Sequence, residues 1–218
     1  MSEFFILAPM LLLAVLLGYL LGSLPTAKLI SSKLGVDIFE TGTGLPGAAN
    51  VLRSVGKVPA GFVLLGDMGK GTLAILAAIY IGIETTWLLL PAFAVVLGHW
   101  CPIFARFRGG DGLATIGGAT IALFPVVGTI SVVVGMVVAL GGQRLPYSSL
   151  LSIVFCYGTL IPLNMAYGGD TLMAVGLGGI ASLVLAHALL GHRRRRDMSR
   201  WDNLLIDEIV ISERSSST

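Results

Sequence analysis

The sequence is poor in charge. Of its 218 residues only 12% are Asp, Glu, Lys or Arg, while 55% are hydrophobic and the mean hydropathy is +0.90. A soluble domain carries about 25% charged residues. That shortfall excludes an ordinary soluble fold and makes the bilayer the solvent for most of the chain. Cysteine is nearly absent as well. Cys101 and Cys156 each lie in or beside an apolar run, which excludes a disulfide framework or a cysteine metal site and leaves two small buried hydrophobes. No basic segment precedes the first apolar run, only Glu3, so that run reads as a retained span rather than a cleaved signal. Linkers, repeats and low-complexity stretches are missing too, apart from Ser212 to Thr218. One membrane domain, 1–218, is expected, with a helical core over about 4–191 and a basic cytoplasmic tail over 192–218. The net charge is only +2, and no nucleic-acid partner is expected.

What is present is a series of apolar runs. Phe4–Leu21, Ala60–Ile83, Thr86–Phe104, Ser148–Met165 and Leu172–Leu190 are each about long enough to span. Leu113–Leu140 is a longer apolar stretch broken at Phe124-Pro125. Lys28, Lys33, Arg53 and Lys57 fall between the first two runs. Arg106 and Arg108 follow the third, Arg144 precedes Ser148, and Arg193 to Arg196 follow the last. The other connections carry Glu84 or Asp170 and no Lys or Arg. The positive-inside rule therefore puts the N-terminus outside and the basic loops and tail in the cytoplasm. Leu113–Leu140 must then leave and return, which requires two segments, roughly Leu113–Leu123 and Val126–Leu140. The first covers only about 16 Å and must be buried against other helices. The expected fold is an all-α polytopic membrane protein of about seven transmembrane or partly spanning helices.

The glycine-rich polar stretches all fall on the basic side. In "TGTGLPGAANVLR", Thr41 to Arg53, Gly42, Gly44 and Gly47 permit left-handed or tightly curved backbone. Such a loop forms an anion-binding nest, with Arg53 and Lys57 nearby. In "GHWCPIFARFRGGDGLAT", Gly98 to Thr115, a turn with Gly109, Gly110 and Gly112 leads into a helix at Leu113, an arrangement suited to phosphate. His99 stands at the end of the preceding helix. In "GDMGKG", Gly66 to Gly71, Asp67 and Lys70 sit at i, i+3, the spacing of an ion pair on one helical face. Each stretch also has a bland reading: a solvated loop, a structural histidine and a structural ion pair.

Taken in order, "GSLP" (Gly22–Pro25), "DI" (Asp37-Ile38), "GTGLPGAANVLRSVGK" (Gly42–Lys57), "DMGKG" (Asp67–Gly71) and "GHWCPIFARFRGGDGLAT" resemble the signatures of the PlsY family. Its members are acyl-phosphate:glycerol-3-phosphate acyltransferases of bacterial inner membranes. They are seven-helix proteins with an outside N-terminus. The resemblance is strong over about Gly18 to Thr115. It implies transfer of an acyl group from acyl phosphate to glycerol 3-phosphate, giving lysophosphatidate for phospholipid biosynthesis, with bilayer lipid as surroundings and neither coenzyme A nor a metal. It also implies catalytic roles for Ser23, Thr43, Asn50 and His99. Substrate phosphate would be held by Gly44, Gly47, Arg53, Lys57, Lys70, Gly109, Gly110, Gly112 and Thr115.

The chain departs from the family pattern at Phe39, Leu45 and Ala49, where the pattern has Arg, Asn and Thr, and at Asp111, where it has Lys. The tail match, Arg194 to Trp201, lacks the family's His and Asn, although His192 stands just upstream. Besides a divergent acyltransferase, these departures leave open a catalytically degenerate member of the same fold that binds lipid or an anion. A small transporter with a broken helix at Phe124-Pro125 is a third reading.

Overall fold

The computed structural model describes residues 2–142 and 148–191, and every regular element among them is helical. Helix α1 runs over Ser2–Gly22, α2 over Thr26–Ser32, α3 over Ala48–Ser54 and α4 over Lys57–Ile81. A 3-10 turn, Thr85–Leu88, leads into α5, Leu89–Trp100, and a second, Ile103–Ala105, follows it. Then come α6, Leu113–Leu123, α7, Pro125–Gly141, α8, Ser148–Ala166, and α9, Thr171–Gly191. Four stretches (Leu7–Ser32, Lys57–Ile81, Thr85–Ala105 and Thr171–Gly191) are long and apolar enough to cross a membrane. Leu113–Leu123, Pro125–Gly141 and Leu150–Ala166 are shorter apolar helices. Arg144, His192 and the whole basic tail, with its partial motif, lie outside the described residues.

The break at Phe124-Pro125 is where the basic loops required it. Phe124 has φ −131° and ψ 76°, clear of the helical region, as a residue before proline must be. Pro125 opens α7, where its missing N–H leaves nothing unsatisfied. At 11 residues α6 spans about half the hydrocarbon thickness. It is buried against α4 through two glycines. Gly71 backs onto the Thr115 carbonyl and Gly118 onto Met68, so that a Cβ on either would overlap backbone. Gly22 and Gly98 bring α1 and α5 together in the same way. Close backbone approach through small residues is how helices associate where lipid removes the hydrophobic drive between them.

Two features differ from the hydropathy reading. The helix expected from Ala60 begins at Lys57, with Pro59 in its first turn, where the missing N–H leaves no helical hydrogen bond unmade. Helices α2 and α3 are absent from that reading altogether. At seven residues each they are too short for a hydropathy window. They form because they cover a small core of their own: Ala27, Ile38, Val51 and Val63 are at most 1% exposed and pack with Ala60. That core is the platform under the glycine-rich loop.

Candidate functional site

The loop between α2 and α3 is held from within. Asn50, buried in α3, donates from Nδ2 to the carbonyls of Thr41 (2.9 Å) and Leu45 (3.0 Å). Its Oδ1 accepts from the Thr43 amide (3.1 Å) and the Ser54 hydroxyl (3.2 Å). Gly42 and Gly44 have φ of +63° and +67°, the left-handed conformation the loop needs. Gly42 also lies where a Cβ would strike Asn50 Oδ1. Gly47 does not behave as expected. Its backbone is extended, φ −139°, with nothing within 4 Å of a would-be Cβ. It caps α3 and makes no left-handed turn.

The second glycine turn is fixed to the end of α5. The Trp100 indole donates to the Asp111 carbonyl (2.9 Å), and the Gly110 amide donates to the His99 carbonyl (3.2 Å). Gly112 alone in this turn has positive φ, +89°, and it caps α6. Gly109 and Gly110 are glycines for another reason: side chains there would collide with the backbone of His99 and Trp100 and with the His99 ring. Arg108 ties the two turns together. It lies 4.3 Å over the Phe39 ring and 3.3 Å from Glu40 Oε1.

Beneath the loops is a buried polar cluster. Lys70 Nζ lies 2.9 Å from Asp67 Oδ1, the i, i+3 pair anticipated from spacing. Lys70 also donates to the Leu24 carbonyl (3.3 Å), and the Thr26 hydroxyl donates to Asp67 Oδ1. His99 Nδ1 is 3.2 Å from Thr115 Oγ1 and 3.7 Å from Asp67 Oδ1. Asp67 and Lys70 are at most 4% exposed. Charges at this depth persist because each is paired and hydrogen-bonded.

A cavity of about 460 Å³ opens beside this cluster. One end is polar, lined by Thr43, Asn50, Arg53, Lys57, Asp67, His99, Asp111 and the first turn of α6 from Gly112. The other end is apolar, lined by Ile116 and Gly117 of α6, Val132 and Met136 of α7, and Ile153, Cys156 and Tyr157 of α8. Of the expected site residues, Thr43, Gly47, Asn50, Arg53, Lys57, His99 and Gly112 reach this lining. Ser23, Gly44, Lys70, Gly109, Gly110 and Thr115 do not. Ser23 is fully buried and its hydroxyl donates to the Tyr19 carbonyl (2.8 Å). Lys70, Gly109 and Gly110 face a second void of only about 10 Å³. Leu45 and Ala49 supply apolar wall at the polar end. Among the described residues no group of three His, Cys, Asp or Glu is placed to hold a metal ion.

Three contributors were missed in the sequence. Thr26 was one hydroxyl among several, just outside "GSLP". Trp100 carried a signal, since an indole in an apolar run needs an acceptor for its N–H. The α7 and α8 wall carried none, being apolar residues in apolar helices.

A family model described as Glycerol-3-phosphate acyltransferase matches residues 12–201. The chain belongs to the glycerol-3-phosphate acyltransferase family. A relative of that name from Bordetella pertussis is 35% identical over 189 residues, 85% of this chain and 86% of its own length. One from Rubrobacter xylanophilus is 46% identical over 142 residues, 65% of this chain and 70% of its own. Two crystal structures of PlsY (YgiH), an integral membrane glycerol 3-phosphate acyltransferase, share the fold. The glycerol 3-phosphate form aligns with TM-score 0.69 at 28% identity, covering 86% of this chain and 90% of that one. The lysophosphatidic acid form aligns with TM-score 0.67 at 31% identity over the same shares. The all-helical, multi-pass membrane architecture of this chain is that of the family.

Proposed function

We propose that the chain transfers an acyl group from an acyl phosphate to glycerol 3-phosphate, yielding lysophosphatidate and inorganic phosphate at the cytoplasmic face of a bacterial inner membrane. The observation that carries this reading is the divided lining of the cavity, cationic and amide-rich at one end and apolar at the other. That division matches a donor with a phosphate head and a hydrocarbon tail. Arg53 and Lys57 are exposed and have no protein partner among the described residues, so both are available to substrate phosphate. The first turn of α6 adds a helix N-terminus at the same end. In the reaction the glycerol hydroxyl oxygen bonds to the acyl carbonyl carbon, and the bond from that carbon to the phosphate oxygen breaks. The hydroxyl proton passes to a base, for which His99 is our candidate. Because an acyl phosphate is already activated, positioning and charge stabilisation supply most of the rate. We assign Asn50 to holding the loop, and Asp67 with Lys70 to holding His99 beside Thr115.

The sidedness belongs to the proposal. Lys28, Lys33, Arg53, Lys57, Arg106 and Arg108 fall at the loop end of the helices, and Glu84 and Asp170 at the opposite end. Leu45, Ala49 and Asp111 in the lining support a second reading, a family member that binds a lipid or anion without turnover. Phosphate release from an acyl phosphate, measured with and without glycerol 3-phosphate, decides between them. The transferase reading expects release only when the acceptor is present. No release above background, under conditions where another family member turns over, overturns it.

A further inference from the structure

The apolar half of the cavity has a floor. Helix direction orders its lining by depth. Helix α6 leads away from the glycine turn and lines the cavity as far as Gly117. Helix α7 runs back and contributes from Val132 to Leu140. Helix α8 contributes from Ser152 to Tyr157. The α7 segment corresponds to about 12 Å of depth. Gly117, Val132 and Tyr157 are thus the deepest lining residue of each helix, and they converge. A Cβ on Gly117 would stand 3.8 Å from Val132 Cγ1. The Tyr157 hydroxyl is 2.6 Å from Thr120 Oγ1, one turn below Gly117. Because the Thr120 hydroxyl donates to the Ile116 carbonyl (2.8 Å), the tyrosine donates to Thr120. A phenol at this depth without such an acceptor would be unsatisfied, so the bond fixes the ring across the groove.

We propose that Gly117, Val132 and Tyr157 form the stop that sets the acyl-chain length this enzyme accepts, with Thr120 as the residue that positions the Tyr157 ring. The proposal rests on the acyl-phosphate reading of the cavity. Gly117 is its sensitive point. Gly118 and Gly135 are glycines because backbone of a neighbouring helix lies against them, whereas at Gly117 only the Val132 side chain is within 4 Å of a would-be Cβ. A larger side chain at 117 therefore fits the helix packing and takes its volume from the groove.

The test compares Gly117→Ala, Gly117→Leu and Tyr157→Leu with the unaltered protein in detergent. One readout is the ratio of kcat/KM for hexadecanoyl phosphate to that for octanoyl phosphate. Gly117→Leu should lower that ratio about tenfold and Gly117→Ala by less. Tyr157→Leu should raise it. A second readout needs no turnover: the rise in unfolding temperature produced by octyl phosphate and by hexadecyl phosphate. Gly117→Leu should lose the hexadecyl shift and keep the octyl one. Ratios within twofold of the parent, with the alkyl phosphate shifts also unchanged, overturn the stop. Absence of acyl transfer from every donor by the parent protein overturns the transferase reading instead, and the alkyl phosphate shifts then still decide whether the stop exists.

Discussion

Two groups of charge lie near one cavity and are treated in opposite ways. Asp67 and Lys70 are buried and satisfied by each other, by Thr26 and by the Leu24 carbonyl, with His99 and Thr115 alongside. Arg53 and Lys57 stand exposed at the mouth without a protein partner among the described residues. The contrast teaches where a charge in a membrane protein is structural and where it is free for a ligand. Burial commits a charge to its neighbours, because an unpaired ion at membrane depth costs several kcal/mol. A hydrated charge at the interface has no such obligation and keeps its full attraction for an anion.

The largest expected effect breaks the buried group. Asp67→Ala leaves Lys70 unpaired at depth and should cost about 3–5 kcal/mol. Thermal unfolding in detergent would register this as a large drop in midpoint, with loss of folded yield. A double variant, Asp67→Leu with Lys70→Met, should recover much of that midpoint; if it is no more stable than the single variant, the pair is more than structural. Breaking the exposed group should look different. Arg53→Ala should lower kcat/KM for glycerol 3-phosphate about 10- to 100-fold, the worth of a hydrogen bond to a charged group, with the unfolding midpoint unchanged. Kinetics equal to the parent would remove Arg53 from the site.

Asp111→Lys sharpens the contrast by reversing a sign in the lining. A severalfold fall in the KM for glycerol 3-phosphate is expected if the carboxylate faces substrate phosphate; a rise in KM would show that Asp111 serves another group. Arg108→Ala should do least. Its ion pair with Glu40 is between exposed side chains, and its stacking on Phe39 adds about 0.5–1 kcal/mol at most. A change in midpoint of a few degrees and less than twofold in kcat/KM is the expectation. A tenfold loss would mean that holding the two glycine turns together is essential to the site.

The helices were legible wherever the signal was average hydropathy or proline placement. The α6–α7 break at Phe124-Pro125 followed from counting basic loops and needed no structure. The site was legible only in part. Arg53, Lys57 and His99 were expected from residue type and position, and all three line the cavity. Asn50 was found, but not its occupation, because four of its hydrogen bonds go to backbone and hydroxyl groups brought beside it only by the folded loop. Leu45 was read only as a departure from the family pattern, an aliphatic residue where the pattern has Asn. In the structure it is cavity wall, and its carbonyl is one of those Asn50 holds.

Composition and order alone determined that this chain lives in a bilayer, how many apolar segments it has and which ends carry its cations. These properties are sums over residues or spacings along the chain, and packing does not alter them. Tertiary structure decided which polar residues are buried and paired and which stand open. Asp67, Lys70 and Arg53 are all charged residues near glycines, and only depth separates the paired from the available. It also decided that apolar stretches of α6, α7 and α8, indistinguishable from lipid-facing sequence, converge on one groove. That convergence depends on which helix face meets which neighbour, set here by small residues such as Gly118 and Gly135 that let backbones touch.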